Sequence, residues 1–223
     1  MSLYSPPLSL SAKKLIFMRD SRVIINCESL EIKKGELVVL TGPNGSGKTT
    51  LLKILAGLIP ADSGHFTLGE SSSTKFETPR YLIGKCIYLH QTPYMFQGSV
   101  VRNLSYGLRK KGVKNYAIDG LVDEAVKKNK LGHLTKRMAS TLSAGEQHQV
   151  ALARAQILKP PVLLLDEVTA HMDQKARGRT FEIIETLQKE GISIILATHD
   201  DETIKTLSGT GTRMNVDSGY LTL

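Results

Sequence analysis

Residues 37–57 read LVVLTGPNGSGKTTLLKILAG. The first five, Leu37 to Thr41, are apolar almost throughout, as in a strand covered on both faces of a parallel sheet. From Lys48 to Gly57 the spacing predicts a helix, with Leu51, Leu52, Leu55 and Leu58 on one face and Gly57 near a stop. Between strand and helix, Gly42-Pro43-Asn44-Gly45-Ser46-Gly47-Lys48-Thr49 fits G-x-x-x-x-G-K-[ST] in full. Glycines let such a loop turn tightly and aim its N–H groups at phosphate oxygens. The N-terminus of the following helix adds a favourable dipole. Lys48 supplies a positive charge for terminal phosphates, and the Thr49 hydroxyl is a ligand for Mg²⁺. With Thr50, these residues are the candidate nucleotide-binding set.

Two further apolar runs, Val162–Leu165 and Ile192–Ala197, read as buried strands. Helices are expected over Ala144–Leu158 and Lys175–Glu190, the second closed by Gly191 at its C-cap. Alternating strand and helix imply an α/β core with a parallel sheet. The run Val162–Leu165 ends in Asp166-Glu167, and ligands bind at the C-terminal ends of strands in such sheets. Asp166 is suited to hold Mg²⁺ through its water shell, and Glu167 to polarise an attacking water as general base. From Thr92 to Thr141 the chain is more basic and mainly helical, with Gly107, Gly112, Gly120 and Gly132 as punctuation. It reads as a helical insertion in the core. Glu70-Ser71-Ser72-Ser73-Thr74 reads as a surface loop.

The 223 residues suit one large domain or two small ones, and 41% hydrophobic residues suffice for a sizeable core. Cys27 and Cys86 lie far apart with no CxxC pattern, which argues against a disulfide framework or a zinc site and suits a reducing compartment. The N-terminal stretch does not read as a signal peptide. No run approaches the ~18 apolar residues of a membrane span, so work at a membrane requires another chain to cross it. The net charge is +8, and it is uneven: Arg109 to Arg137 holds nine Lys or Arg against three acids. This stretch is either a solvated helical surface or a face turned toward anionic lipid. Nucleic acid is not expected, because no aromatics interleave with the basic residues.

At Leu142-Ser143-Ala144-Gly145-Glu146 the sequence resembles the LSGGQ signature of the ABC ATPase family. Other matches fall in the family's order: Gln91 in LHQTPYMF resembles the Q-loop, Thr169-Ala170-His171-Met172-Asp173 the D-loop, and Thr198-His199-Asp200 the switch histidine. The likeness covers nearly the whole chain. It implies a single domain over 1–223. Residues 1–91 and 142–223 would form a P-loop core with an antiparallel β subdomain, and 92–141 a helical subdomain. It also implies that two subunits sandwich two ATP molecules head to tail. Each site takes Lys48, Thr49, Gln91, Asp166, Glu167 and His199 from one subunit, and Ser143 and Gly145 from the other. Gln91 belongs with both the Mg²⁺ ligands and the catalytic set, and Asp173 with the nucleotide-binding set. Ser143 and the amides of a helix N-terminus are anion-binding groups, which gives them reason to face a γ-phosphate.

The sequence departs from the family at Ala144 and Glu146 in the signature, at Val168 where proline is frequent, and at Gln149 where arginine is frequent. Arg19 stands where an adenine-stacking aromatic is expected, with Phe17 two residues earlier; Arg19 offers a cation–π contact instead. His65, His90, His133 and His148 show no partner pattern and are read as non-functional; His171 is read as structural or interfacial. Tyr94, Met95 and Phe96 are either plain core or the lining of a groove for a membrane partner. The runs PYMFQGSVVRNLSYGLRKKG and SAGEQHQVALARA are most similar to ATPase subunits of bacterial tungstate- and molybdate-type importers. The resemblance thus implies a peripheral subunit on the cytoplasmic face of the membrane, working with a permease and, through it, a substrate-binding protein. An exporter subunit, a non-transport ABC ATPase acting on DNA or ribosomes, and an unrelated P-loop kinase are the alternatives. The short Thr92–Thr141 interval lacks the heptads of a DNA-repair coiled coil, and the signature argues against a kinase.

Overall fold

A computed structural model describes residues 8–69, 71–73, 82–170, 172–207 and 209–222. His171, Glu70 and Thr74 fall outside the described residues. In chain order the elements are β1 (Leu10–Arg19), β2 (Arg22–Ile32), β3 (Leu37–Thr41), α1 (Lys48–Leu55), β4 (Ser63–Leu68), β5 (Ser71–Ser73) and β6 (Cys86–Leu89). There follow α2 (Val100–Lys110), α3 (Asn115–Lys128), α4 (Ala144–Leu158), β7 (Val162–Asp166), α5 (Gln174–Lys189), β8 (Ser193–Ala197), α6 (Asp201–Leu207), β9 (Thr212–Asp217) and β10 (Tyr220–Thr222).

The three apolar runs become β3, β7 and β8, each buried along its whole length. They pair in parallel, β3 with β8, β8 with β7 and β7 with β6, so that Asp166 lies beside Ala197 and Leu40 beside Ala197 across the sheet. Strand β9 adds in parallel to the other side of β3. The antiparallel strands β1, β2, β4 and β5 do not form a separate sheet. A single bridge, Tyr220 to Asn26, joins β10 to β2 in parallel, and the strands run as one sheet in the order β5-β4-β1-β2-β10-β9-β3-β8-β7-β6. The P-loop therefore sits where the antiparallel and parallel halves meet, beneath β2.

Three apolar clusters hold the layers. One packs α1 (Leu51, Leu52, Leu55) against β1, β2 and the sheet; a second packs α4 and α5 (Leu152, Ile184, Leu187) against its other face. The third is the core of the helical insertion, where Val100, Leu104, Leu108, Ile118 and Val122 meet Val150, Ala153 and Ile157. Helix α4 thus has apolar residues in two cores, and it is the element through which the insertion is fixed to the sheet.

Some local expectations differ. Leu58 does not share the α1 face. The helix ends at Leu55, Gly57 turns left-handed (φ 70°), and Leu58 is left 56% exposed. Residues 71–73 form strand β5 against β4 rather than a loop, because pairing partners are available at Leu68, Thr67 and Phe66. Gly107 and Gly120 lie inside helices rather than between them. At Gly107 a β-carbon would come within 2.8 Å of the Leu158 side chain, so the glycine permits the close approach of α2 to α4. Gly120 has open space around it, and nothing in the structure explains it.

Gly42 is the most constrained glycine in the phosphate loop. Its φ is 141°, and a β-carbon there would lie 2.1 Å from the Val216 carbonyl oxygen of β9. Backbone cannot yield as a flexible side chain can. Gly42→Ala is expected to lower stability by about 1–3 kcal/mol, the usual range for overpacking. Urea denaturation measures it; an unchanged midpoint would show that the Val216 backbone yields to the added carbon.

Candidate active site

The loop between β3 and α1 is held by its own lysine. Lys48 is buried, and its Nζ donates to the carbonyls of Gly42 (2.7 Å) and Pro43 (2.9 Å). Burial pushes the Lys48 pKa down, while Glu167 and Asp166 act to raise it. Gly47 caps α1 in a left-handed conformation (φ 109°), and a β-carbon there would strike Ile25 Cδ1 and the Ile24 carbonyl of β2. The loop is thereby pressed against β2 at the N-terminus of α1, the arrangement that favours an anion. The buried Ser46 hydroxyl has no hydrogen-bond partner.

Asp166 and Glu167 leave the end of β7 with different environments. The Thr49 hydroxyl lies 2.9 and 3.0 Å from the two Asp166 oxygens. The Tyr88 hydroxyl, from β6, donates to Asp166 Oδ2 at 2.6 Å. Burial and then this bond push the Tyr88 phenol up, so it stays a donor. Glu167 has a left-handed backbone (φ 52°), and its N–H donates to the Ala197 carbonyl (2.9 Å). That turn sends its side chain toward His199, whose Nδ1 is 2.7 Å from Oε1. Glu167 Oε2 is shielded from solvent and accepts no hydrogen bond.

Beyond β8, the turn that carries His199 is tied down on both sides. Asp200 Oδ2 accepts from the Thr203 hydroxyl (2.6 Å) and amide (2.8 Å), and Arg177 of α5 approaches it at 3.4 Å. The Thr203 hydrogen bond above all, with help from Arg177, holds the Asp200 carboxyl below its ordinary value. The hydroxyls of Thr169 and Thr203, both buried, are 3.1 Å apart.

A cavity of about 690 Å³ opens over these groups. Asn44, Gly45, Gly47, Lys48, Thr49, Thr50, Gln91, Glu167 and His199 line it, so most of the candidate set converges on one space. Gly42, Pro43 and Ser46 form the back of the loop. Ser143, Gly145 and Asp173 are not among the lining residues. Ser143 instead caps α4: its hydroxyl accepts from the Glu146 amide (3.3 Å), and its own amide donates to Glu146 Oε2 (2.7 Å). Arg137 pairs with Glu146 from the insertion side, and the Ser143 amide bond above all holds the Glu146 carboxyl low. Asp173 caps α5 by accepting from the Ala176 amide (2.7 Å).

Sequence reasoning did not find Tyr88, Ile24, Arg177 or His148, and it named Thr169 only as part of the D-loop match. Ile24 of β2 lines the cavity, as do Thr169 and Arg177; Phe17 packs against the core and Arg19 ends β1, and neither lines it. Tyr88 stands three residues before Gln91 on a strand only four residues long, too short to show a pattern. His148, read as non-functional, is buried with Nδ1 2.8 Å from the Ala144 carbonyl and Nε2 2.7 Å from the Gln91 carbonyl.

The donor set suits magnesium with a nucleotide. Thr49 and Asp166 offer hard oxygen donors already in contact, and no cluster of three or more His, Cys, Asp or Glu able to cage a metal occurs among the described residues. Magnesium usually keeps several waters and is shared with phosphate oxygens, so it needs no more than this from the protein.

Residues 25–170 match the family described as ABC transporter, and the chain belongs to it. Among curated proteins it is 37% identical over 190 residues to the spermidine/putrescine import ATP-binding protein PotA of Haemophilus influenzae, covering 84% of this chain and 50% of that one. It is 35% identical over 186 residues to the Fe(3+) ions import ATP-binding protein FbpC of Fusobacterium nucleatum, covering 81% and 48%. The chain spans about half the length of these relatives. Among solved structures it superposes on cbiO1 of Clostridium perfringens, part of the ABC transporter complex cbiONQ, with a TM-score of 0.84. The identity is 27%, over 96% of this chain and 86% of that one.

Proposed function

We propose that this chain binds and hydrolyses Mg-ATP as the motor subunit of an importer, in a head-to-tail dimer docked on a separate membrane permease. The observation that carries the reading is the convergence of Lys48, Thr49, Glu167 and His199 on one cavity at the ends of β3, β7 and β8. Lys48 would exchange its loop carbonyls for phosphate oxygens, and Thr49 and Asp166, with Gln91 at the cavity rim, would hold the metal. Bound Mg²⁺ supplies charge neutralisation on the phosphates. Glu167, oriented by His199, would accept the proton of the attacking water. Ser143 and Gly145 lie outside the cavity at the exposed start of α4, where a second copy can receive them against its own ATP.

An aromatic cluster at the insertion supports the permease reading. Phe96 stacks on Tyr106 with ring centroids 3.8 Å apart, Tyr94 meets Phe96 edge-on and is 72% exposed, and Arg154 lies 5.0 Å from the Phe96 ring. Met95 is packed into the cores, so only part of that run is free to dock. No helix among the described residues is long and apolar enough to cross a membrane. On this reading the chain sits peripherally on the cytoplasmic side and meets a substrate-binding protein only through the permease. For the cargo, the run after Gln91 resembles oxyanion importers, whereas the named relatives import polyamines and ferric iron. Co-purification from detergent-solubilised membranes tests the assembly: a permease chain should elute with this one in stoichiometric amount, and its absence would sink the transport reading.

Lys48→Ala removes the charge that faces the terminal phosphates. Affinity for Mg-ATP is expected to fall about ten-fold or more, corresponding to about 1.4 kcal/mol. Isothermal titration measures it, and an unchanged dissociation constant would count against the cradle.

A further inference from the structure

His148 has no place in the chemistry above, yet it is buried in a specific position. It lies on the first turns of α4, five residues after Ser143, and its ring spans two backbone carbonyls. Nδ1 is 2.8 Å from Ala144 O, in the signature itself, and Nε2 is 2.7 Å from Gln91 O, at the rim of the cavity. Gln91 follows β6, the edge strand of the parallel sheet, and stands 57 positions before His148. Both neighbours of the ring are main-chain carbonyls, and each ring nitrogen lies within hydrogen-bond reach of one of them. The surrounding α4 residues are engaged elsewhere: Glu146 with Arg137 and the Ser143 amide, Gln147 with the Leu142 carbonyl, and Arg154 with the Tyr94 carbonyl. His148 is therefore the polar side chain here that ties the signature turn to the Gln91 segment.

We propose that His148 is a positioning residue that couples the two ATP sites of the dimer. Within one subunit it joins Gln91, which serves that subunit's own nucleotide, to the Ser143–Gly145 turn, which serves the nucleotide of the second copy. Filling one site and moving Gln91 pulls on the helix start that completes the other. The ring is short and rigid, and both contacts are to main chain, so displacement at one end is passed to the other rather than absorbed by rotamers. The inference rests on the head-to-tail dimer proposed above.

His148→Leu keeps the buried volume and removes both bonds; His148→Gln retains one donor group. Three measurements on the intact chain separate the outcomes. Dimer formation with ATP is followed by size-exclusion chromatography in a Glu167→Gln background, ATP affinity of the isolated subunit by titration, and steady-state hydrolysis as a function of ATP concentration. The expected result is that His148→Leu binds ATP and dimerises as the parent does, while its Hill coefficient falls from above one to one and its kcat drops about ten-fold. His148→Gln should recover part of both. If the parent dimerises and hydrolyses cooperatively and His148→Leu does the same, the coupling role is overturned while the dimer stands. If the parent shows no ATP-dependent dimer, the dimer reading fails first and the coupling with it. A loss of ATP binding by the isolated His148→Leu subunit would mean that the residue only supports the fold, and would also overturn the proposal.

Discussion

Glu167→Gln is expected to bind Mg-ATP as the parent does, to hydrolyse it about 10²–10⁴-fold more slowly, and to accumulate as an ATP-bound dimer. The substitution is nearly isosteric, and Gln keeps an oxygen to face His199 Nδ1, now 2.7 Å from Oε1. What it loses is the basicity of a carboxylate whose second oxygen has no partner. The backbone bond from residue 167 to Ala197 is unaffected, so the turn persists. Single-turnover hydrolysis measures the rate, and a variant that turns over at the parent rate would remove Glu167 from the role of base.

Ser143→Arg is expected to abolish hydrolysis while each subunit still binds ATP. A bulky cation on the first turn of α4 should block closure of a second copy. The substitution also loses the cap, which costs about 0.5–2 kcal/mol; a melting curve shows whether the variant remains folded. Mixed with Lys48→Ala protein, it should regain activity. Each variant alone has two damaged composite sites, whereas the mixed dimer has one site with both lesions and one with neither. If the two sites must work together, mixing will not restore turnover, and a crosslink decides instead. Ser46 is buried, so the reporter cysteine belongs at exposed Asn44, paired with one at Ser143. Bonds between chains in the presence of ATP are expected. Bonds formed only within one chain would exclude the head-to-tail arrangement.

The parts of the fold that could be read in advance are those where burial leaves a mark on consecutive residues. Leu37–Thr41 and Val162–Leu165 are covered on both faces, so their strands are continuous in apolar character and their ends are sharp. The antiparallel strands carry no such mark. Strand β1 alternates only as far as Lys13, because Lys14 turns left-handed (φ 50°) and the pairing with β4 shifts register there, and β5 is three serines whose strand exists because β4 offers them partners. The site divides in the same way. The phosphate loop and Asp166-Glu167 are legible because their chemistry needs neighbours in sequence. Tyr88, Arg177 and His148 act across intervals of 78, 23 and 57 residues, and only the sheet order brings them to their partners.

The left-handed backbone at Glu167 sets stability against turnover at a single residue. A side chain with a β-carbon held there costs about 1–2 kcal/mol. Asparagine tolerates the conformation better, and glycine has no β-carbon to strain. Selection for heat resistance alone, with turnover left unscreened, would thus tend to replace Glu167 by asparagine or glycine and return a sturdier chain that no longer splits ATP.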